Sequence, residues 1–574
     1  MIRSIPKSAR LTILLLACLA ASPAAGQLRV VTYNTKKRPE NTTDYNWEIA
    51  LNALTASEAE GIAGRVDIFA LQEIPNLGIA QNLATMMNTL HGVGSYSAVA
   101  GAYGDGWNLQ AFVYDSSTVD LLNVDTLSVG TRPTVRGRFR PDGYSSAEAE
   151  FDVFSSHLKA FPGYEWQRRD EARVIRSHGD ALGEGANIIY AGDYNLTNGL
   201  SEPAYFEMLE RGAGQVFDPA GGSNGYLDYT YSASGPFNRL DFQFVTGELM
   251  DNEGLDLIDG TYRVLGPVIR GSRYLVAPWE LASASDHLPV IADYQLPARM
   301  DAAVNTYQTM AIVGGTLTAE VFVENTADVS TANGADELDY TIGGPAVASP
   351  VSGVEPPLGG GATRTVALAT QAPGFRQADI EFTSSSQGVE NGSISETVHY
   401  TVLDHATASL GEDTEQVATA IDLGIVAWDS EVSDRLDIHN LASPSGYTAA
   451  LVLHDATGSG DTDAIDLILP GGGIPGGESA EADLAIDTSQ LGPYAATWAI
   501  DTADESLPGA QPGNTLEAQI AIEVALPGDV NRDGLVDQND INAVIAGWGS
   551  AADGWSAGDL TRDGLVDVDD LDMV

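Results

Sequence analysis

The chain has 574 residues and carries 28 basic against 80 acidic side chains, a formal net charge of −52. That length exceeds one hydrophobic core and predicts three or four domains. The acidity excludes a protein that binds nucleic acid or an anionic membrane through its surface as a whole. The charge is uneven, net −16 over residues 28–297 and −39 over 298–574, so most basic side chains lie in the first half.

Taken in order, Arg3, Lys7 and Arg10 precede the apolar run Leu11 to Ala20 and the small residues Ala24-Ala25-Gly26. This is the pattern of an export signal over residues 1–26, and it predicts a secreted or cell-surface protein. The run is too short to span a bilayer as a mature helix, so no integral membrane segment is expected in the mature chain. Cleavage near Gly26 removes Cys18, the only cysteine, and with it any internal disulfide. Leu15-Leu16-Ala17-Cys18 also fits a lipoprotein attachment site.

From Leu28 to Pro297 short apolar strands alternate with longer helical stretches, which predicts an α/β domain. Leu28 to Asn34 reads as a strand ending on an Asn, Asp67 to Glu73 as one ending on a Glu, and Phe151 to His157 as one ending on a His. A helix is expected over Arg168 to Leu182. The strand Asn187 to Tyr190 then leads into Ala191-Gly192-Asp193-Tyr194-Asn195-Leu196, where a carboxylate and an amide two residues apart share one face. Gly192 before them reads as room for a ligand. Asn238 to Val245 and Ser285 to Val290 complete the series. Each polar strand end, read alone, is an ordinary turn former or a satisfied core residue. Six in one domain point instead to a site able to handle metal, phosphate or protons.

Thr32-Tyr33-Asn34, Leu71-Gln72-Glu73, Ser156-His157-Leu158, Gly192-Asp193-Tyr194-Asn195, Arg239-Leu240-Asp241 and Ser285-Asp286-His287 stand in a specific order and spacing. In this the stretch Leu28 to Pro297 resembles the endonuclease/exonuclease/phosphatase superfamily. The resemblance implies an α/β four-layer sandwich of two mixed β-sheets flanked by helices, with the site at one edge. It implies Mg²⁺ or Mn²⁺ held by Asn34, Glu73 and Asp286, with Asp193 orienting or deprotonating the attacking water and Asn195 holding a phosphoryl oxygen. His287, oriented by Asp241, would donate to the phosphate or carry a proton, and His157 would stabilise developing charge or help the leaving group. Arg132 stands where relatives often place a phosphate-contacting Arg or Tyr. Gly106 to Tyr114 and Gln243 depart from the common pattern, which bears on substrate and not on the metal site.

The implied activity is hydrolysis of phosphoester bonds, with a phosphodiesterase or nuclease acting on extracellular DNA or RNA favoured. A phosphatase or sphingomyelinase-like phospholipase of the same fold, and a non-catalytic surface scaffold, are the alternatives. Three basic clusters suit a polyanion or simply balance an acidic domain: Lys36-Lys37-Arg38, then Arg132, Arg136, Arg138 and Arg140, then Arg168, Arg169, Arg173 and Arg176.

Beyond residue 300 helical periodicity gives way to short alternating strands separated by Gly, Pro, Asn and Ser, which predicts two β-sandwich domains over 300–404 and 406–526. They read as spacers. In the tail, Asp529, Asn531, Asp533, Gly534, Asp537 and Asp540 take positions 1, 3, 5, 6, 9 and 12 of a calcium loop, with the Leu535 carbonyl at 7. Asp559, Thr561, Asp563, Gly564, Asp567 and Asp570 repeat it, with Leu565 at 7. Two such loops, each followed by a helix, resemble a type I dockerin over residues 527–574. The resemblance implies a small helical calcium-loop domain with two Ca²⁺ sites and a cohesin-like protein partner.

Overall fold

The computed structural model describes residues 26–102, 108–210, 212, 215–221, 229–231, 238–266, 269–270, 273–274, 278–551 and 554–574. The export signal, except for Gly26, and the departures at Gly106 and Trp107 lie outside the described residues.

In chain order the first region runs β1 (Leu28–Asn34), α1 (Tyr45–Ala56), β2 (Ile68–Ile74), α2 (Leu77–His91), β3 (Tyr96–Ala100), β4 (Leu109–Asp115), β5 (Val119–Leu127), β6 (Thr134–Pro141) and β7 (Phe151–His157). It continues through α3 (Glu165–Asp180), β8 (Asn187–Asp193), α4 (Pro203–Leu209), β9 (Val216–Phe217), β10 (Asp241–Thr246), β11 (Arg263–Val264), the hairpin β12 (Ile269–Arg270) and β13 (Arg273–Tyr274), α5 (Pro278–Ala284) and β14 (Val290–Tyr294). One six-stranded sheet has the order β11-β14-β1-β2-β4-β3, the other β5-β6-β7-β8-β10-β9. Both are mixed: β1–β2 and β7–β8 pair in parallel, while β14–β1 and β10–β8 are antiparallel.

The central strands β1, β7 and β8 are buried along their whole length, as expected of strands covered on both faces. Period-two alternation then divides their side chains between different cores. Val30, Ile68, Val153, Ile189 and Ala191 pack between the sheets. Val31, Tyr33, Phe69 and Leu71 pack with Trp47, Leu51 and Leu54 of α1, Leu83 and Met87 of α2 and Leu281 of α5. Ile188, Tyr190 and Phe154 face Ala172 and Ile175 of α3 and Ala204 and Met208 of α4. Asp44 caps α1 by accepting from the main-chain N–H of Asn46 and Trp47.

One end of the first sheet is pinned by a buried ion pair. Arg29 Nε lies 2.6 Å from Asp293 Oδ1, and its Nη atoms donate to the carbonyls of Leu54, Ile62 and Gly64. With every donor satisfied, this pair sets register at the edge remote from the site described below.

The chain then enters strand-rich regions. Met300–Tyr307, Leu317–Asn325 and Ala362–Leu368 form a three-stranded sheet, and five further strands between Met310 and Leu403 form a second, around a core that includes Val321, Tyr340, Phe382 and Val398. Four- and five-stranded sheets follow over Ala408–Ala525, around Ile438, Leu451, Trp498 and Ile520. Ala327, Val329 and Ala335 from the strand-rich side complete the inter-sheet core of the first region. Asp336 Oδ2 accepts from Gly254 N at 2.9 Å and Glu390 accepts from Ser145 N at 2.7 Å across the same junction. The tail holds α6 (Gln538–Gly547) and α7 (Val568–Leu571), with Val530, Val544, Trp555 and Val566 packed together with Ala525. Among the described residues no helix is long and apolar enough to cross a membrane.

Candidate active site

Strand polarity assembles the polar residues. In the parallel pairs Asn34 lies opposite Gln72, beside Glu73, and His157 lies opposite Asp193. The antiparallel β10 begins where β8 ends, which places Asp241 opposite Asp193. Ser285 Oγ donates to the Asn34 carbonyl at 2.7 Å and accepts from His287 N at 3.2 Å, bringing the segment before β14 to the same edge. Thr230 completes the frame: its Oγ1 accepts from the N–H of Leu240 and Asp241, and its carbonyl accepts from Leu288 N. Nothing local in the sequence marks Thr230, since it acts on the main chain of segments distant from it.

The geometry centres on one oxygen. Asp193 Oδ2 accepts from Asn34 Nδ2 at 2.9 Å and lies 3.4 Å from His157 Nε2 and 3.8 Å from His287 Nε2. Its other oxygen accepts from Asn195 N at 2.9 Å. His287 Nδ1 stands 2.8 Å from Asp241 Oδ2, which directs Nε2 inward. The Tyr231 ring packs edge-on against His287 at 5.2 Å, a contact the sequence did not announce. Asn195 Nδ2 and Arg132 Nη1 both donate to the Leu158 carbonyl, at 3.2 and 2.9 Å, so both belong to this edge.

Burial pushes the Asp193 carboxyl up to about 7; the Asp241 charge adds to the rise, and His287, Asn34 and the Asn195 N–H oppose it. Burial works against the His287 imidazolium, but the Asp241 and Asp193 carboxylates outweigh it and raise the group to about 10. Burial, with Arg132 and His287 nearby, holds His157 well below its ordinary value, which keeps it a neutral imidazole. One edge therefore combines a carboxylate of raised basicity, a protonated histidine and a neutral one.

One donor set among the described residues suits a cation. Asp193, Asp241 and His287 bring ligand atoms within 4.8 Å of one another and could hold a divalent metal. Asp241 Oδ1 and His157 Nδ1 are buried without a hydrogen-bond partner, the kind of group such an ion satisfies. Asn34 and Glu73 meet at 3.4 Å, and Asp286 pairs with Lys36 at 3.1 Å. Glu73 has φ 58° and interrupts the β2–β4 register, a costly backbone state for a non-glycine residue that turns its half-buried carboxylate out of the strand pattern. Asn34 turns its amide nitrogen toward Glu73 and Asp193 and its oxygen toward the Lys36 N–H, so the structure does not by itself bring Asn34, Glu73 and Asp286 together as oxygen ligands.

Two expectations are corrected. Gly192 does not make room for a ligand: a Cβ there would meet the Ser156 carbonyl at 2.2 Å, and φ is 153°, so glycine serves the close approach of β7 and β8. Two of the basic clusters are held in ion pairs. Arg136 and Arg138 reach Asp152, and Arg140 reaches Asp120. Arg168 pairs with Glu202, Arg173 with Glu207 and Arg176 with Asp180.

In the tail both proposed calcium loops adopt one backbone. Asp529 and Asp559 accept from the N–H groups of Asp533 and Gly534, and of Asp563 and Gly564, at 2.9–3.2 Å. Asp540 and Asp570 accept from Asn531 and Asp537, and from Thr561 and Asp567. Arg532 and Arg562 share φ near 60°, and Gly534 and Gly564 near 85°. Asp537 and Asp567 cap α6 and α7 in identical capping boxes, while the side chains of Leu535 and Leu565 point to solvent and leave only their backbone for the loop.

Residues 31–287 match the Endonuclease/Exonuclease/phosphatase family, so this region is a domain of that family. Among solved structures the chain is similar to a humanized D. rerio TDP2, at 18% identity over 47% of this chain and 99% of that one, with a TM-score of 0.34. It is also similar to a Bacteroides thetaiotaomicron mannosyl-6-phosphatase, at 18% identity over 46% and 99%, TM-score 0.32. The human Nocturnin catalytic domain with bound sulfate is similar at 17% identity over 47% and 94%, TM-score 0.34. No curated protein matches the chain.

The His287–Asp241 contact makes a direct prediction. A histidine raised by a carboxylate contributes stability that is full below its ordinary value and lost as pH rises through about 10. Imidazole NMR titration should therefore find His287 protonated at neutral pH, and Asp241→Asn should lower its titration point. An unchanged titration in the variant would show that Asp241 does not set the His287 charge.

Proposed function

We propose that residues 28–297 hydrolyse phosphodiester bonds by metal-assisted in-line attack of water, with nucleic acid as the substrate. The convergence of Asn34, His157 and His287 on Asp193 Oδ2 carries this reading. Members of the family are phosphoester hydrolases, and the edge holds a base, proton donors and cation ligands together.

Asn34, Glu73 and Asp286 would hold the divalent cation, Mg²⁺ or Mn²⁺. When bound it would neutralise charge on the phosphate. Asp193 orients the attacking water and takes its proton at a carboxylate that burial has made more basic. His287, held by Asp241, gives its Nε2 proton to a phosphoryl oxygen. His157 donates to the developing charge or the leaving group, the Asn195 amide holds a phosphoryl oxygen, and Arg132 meets the phosphate from beside Leu158. Activity in this scheme needs Asp193 ionised and His287 protonated, so it rises as pH passes about 7 and falls above about 10. The full chain assayed with Mg²⁺ on a small diester, DNA, RNA, sphingomyelin and inositol phosphates should cleave diesters and nucleic acid. Asp193→Asn should reduce the rate by roughly 100-fold or more. A variant as active as the parent would refute the mechanism, and hydrolysis of sphingomyelin or phosphomonoesters alone would refute the nuclease assignment.

We infer further that the enzyme is exported through residues 1–26, that 300–404 and 406–526 are β-sandwich spacers, and that 527–574 is a dockerin-like module. That module would bind two Ca²⁺ ions and a cohesin-like partner. The duplicated loop backbone supports this reading. The Trp555 indole donates to the Asp529 carbonyl at 2.8 Å, so it reports on the first loop. Titrating Ca²⁺ from chelated to millimolar should change tryptophan fluorescence and raise protease resistance of the tail. No change in either would rule out the calcium reading.

A further inference from the structure

We propose that the stretch from Leu158 to Trp166, the loop after β7 and the first turn of α3, is a stacking platform for unpaired bases, so that nucleic acid reaches the site as a single strand. This rests on the phosphodiesterase reading of the adjoining edge. Phe161, Tyr164 and Trp166 are 70%, 44% and 63% exposed. Single exposed apolar residues need no explanation, but three exposed aromatics within six positions are an unusual local concentration. Phe161 is four residues beyond His157, which limits it to within roughly 14 Å of that residue along the chain.

The main chain that carries these rings is braced. Phe161 has φ 77°, a left-handed state that a bulky residue keeps only when its surroundings impose it. Arg168, fully buried, imposes it by donating Nη1 to the carbonyls of Lys159 and Phe161 at 3.0 and 2.9 Å. Its charge is neutralised by Glu202 at 2.7 Å, and Glu202 also accepts from Thr197 Oγ1 and Asn198 N, in the segment that follows Asp193. The same buried pair thus braces the loops after both β7 and β8. A main chain braced in this way loses little freedom when a ligand stacks on its rings.

The surrounding charge selects the ligand. Lys159 Nζ lies 4.7 Å from the centre of the Tyr164 ring and has no carboxylate partner among the described residues, so a phosphate can meet it beside an aromatic face. Arg169 stacks on Trp166 at 4.8 Å and is neutralised by Asp170 at 2.6 Å, which leaves Lys159 as the cation for a phosphate here. Among the described residues Arg136, Arg138 and Arg140 of β6 and Arg168, Arg173 and Arg176 of α3 are paired with carboxylates, which leaves little cationic track for a phosphate backbone. Affinity must therefore come from stacking on exposed base faces, which a duplex hides and a single strand offers.

The test uses the full chain with Asp193→Asn, to prevent cleavage, and a fluorescent single-stranded oligodeoxynucleotide read by anisotropy. Adding Phe161→Ala and Trp166→Ala should weaken binding roughly ten-fold or more. The aromatic exchanges Phe161→Tyr and Trp166→Phe should restore it, which separates stacking from loss of fold. Unchanged affinity in the alanine variant, no binding by the parent, or equal affinity for duplex would overturn the proposal. So would loss of binding to phosphatidylcholine–sphingomyelin vesicles with oligonucleotide affinity intact, since the loop would then be a membrane contact. Hydrolysis of bis(p-nitrophenyl) phosphate by the chain with native Asp193 is scored separately. Its absence defeats the phosphodiesterase reading, whereas failure of the anisotropy arm with that hydrolysis present defeats only the platform.

Discussion

One hydrogen bond and two histidine nitrogens converge on Asp193 Oδ2: Asn34 from β1 donates at 2.9 Å, and His157 from β7 and His287 from the segment before β14 stand at 3.4 and 3.8 Å. A buried carboxylate is costly unless its charge is answered, and here Asn34 and the two nearby imidazoles answer it. The relation of one sheet to the other is thereby tied to the chemistry of the edge. Parallel pairing of β1 with β2 and of β7 with β8 makes this convergence possible, because it sends like strand ends to one side.

Charges elsewhere in the domain act as braces. Arg29 with Asp293, Arg168 with Glu202 and Arg239 with Asp218 are buried pairs whose contacts span distant segments. Such pairs add little net stability over an apolar substitute but penalise any arrangement that separates them. Arg239 also lies 4.1 Å from the Phe242 ring centre, which fixes the start of β10 and with it Asp241. Rigid edges follow from these local constraints, and a rigid edge is what oriented proton transfer needs.

Much of this was legible in the chain because the signals were local. Strands ending on Asn34, Glu73, His157 and Asp193 could be read from apolar runs and their polar ends, and the structure brings Asn34, His157, Asp193, Asp241 and His287 into one cluster. The positive φ of Glu73 could not be read, because glutamate gives no turn signal. Gly192 was misread because the clash it avoids comes from Ser156, on a strand far away in sequence. The arginine clusters could be read either as a polyanion surface or as charge balance, because some of their carboxylate partners, such as Asp152 and Glu202, lie 14 to 34 residues away. The strands β3 to β6 were missed where polar residues interrupt the alternation, as in Asn123 to Asp125. The aromatic loop carried no pattern at all; only exposure and the Arg168 brace give it meaning.

We propose that the catalytic cation is held by Asn34, Glu73 and Asp286, with Asp193, Asp241 and His287 left for proton handling. Titration of the parent and of Glu73→Gln with Mn²⁺, followed by electron paramagnetic resonance, tests this most directly. The account predicts binding to the parent that weakens roughly ten-fold or more in Glu73→Gln. Undiminished Mn²⁺ binding in that variant would contradict it and move the ion to Asp193, Asp241 and His287.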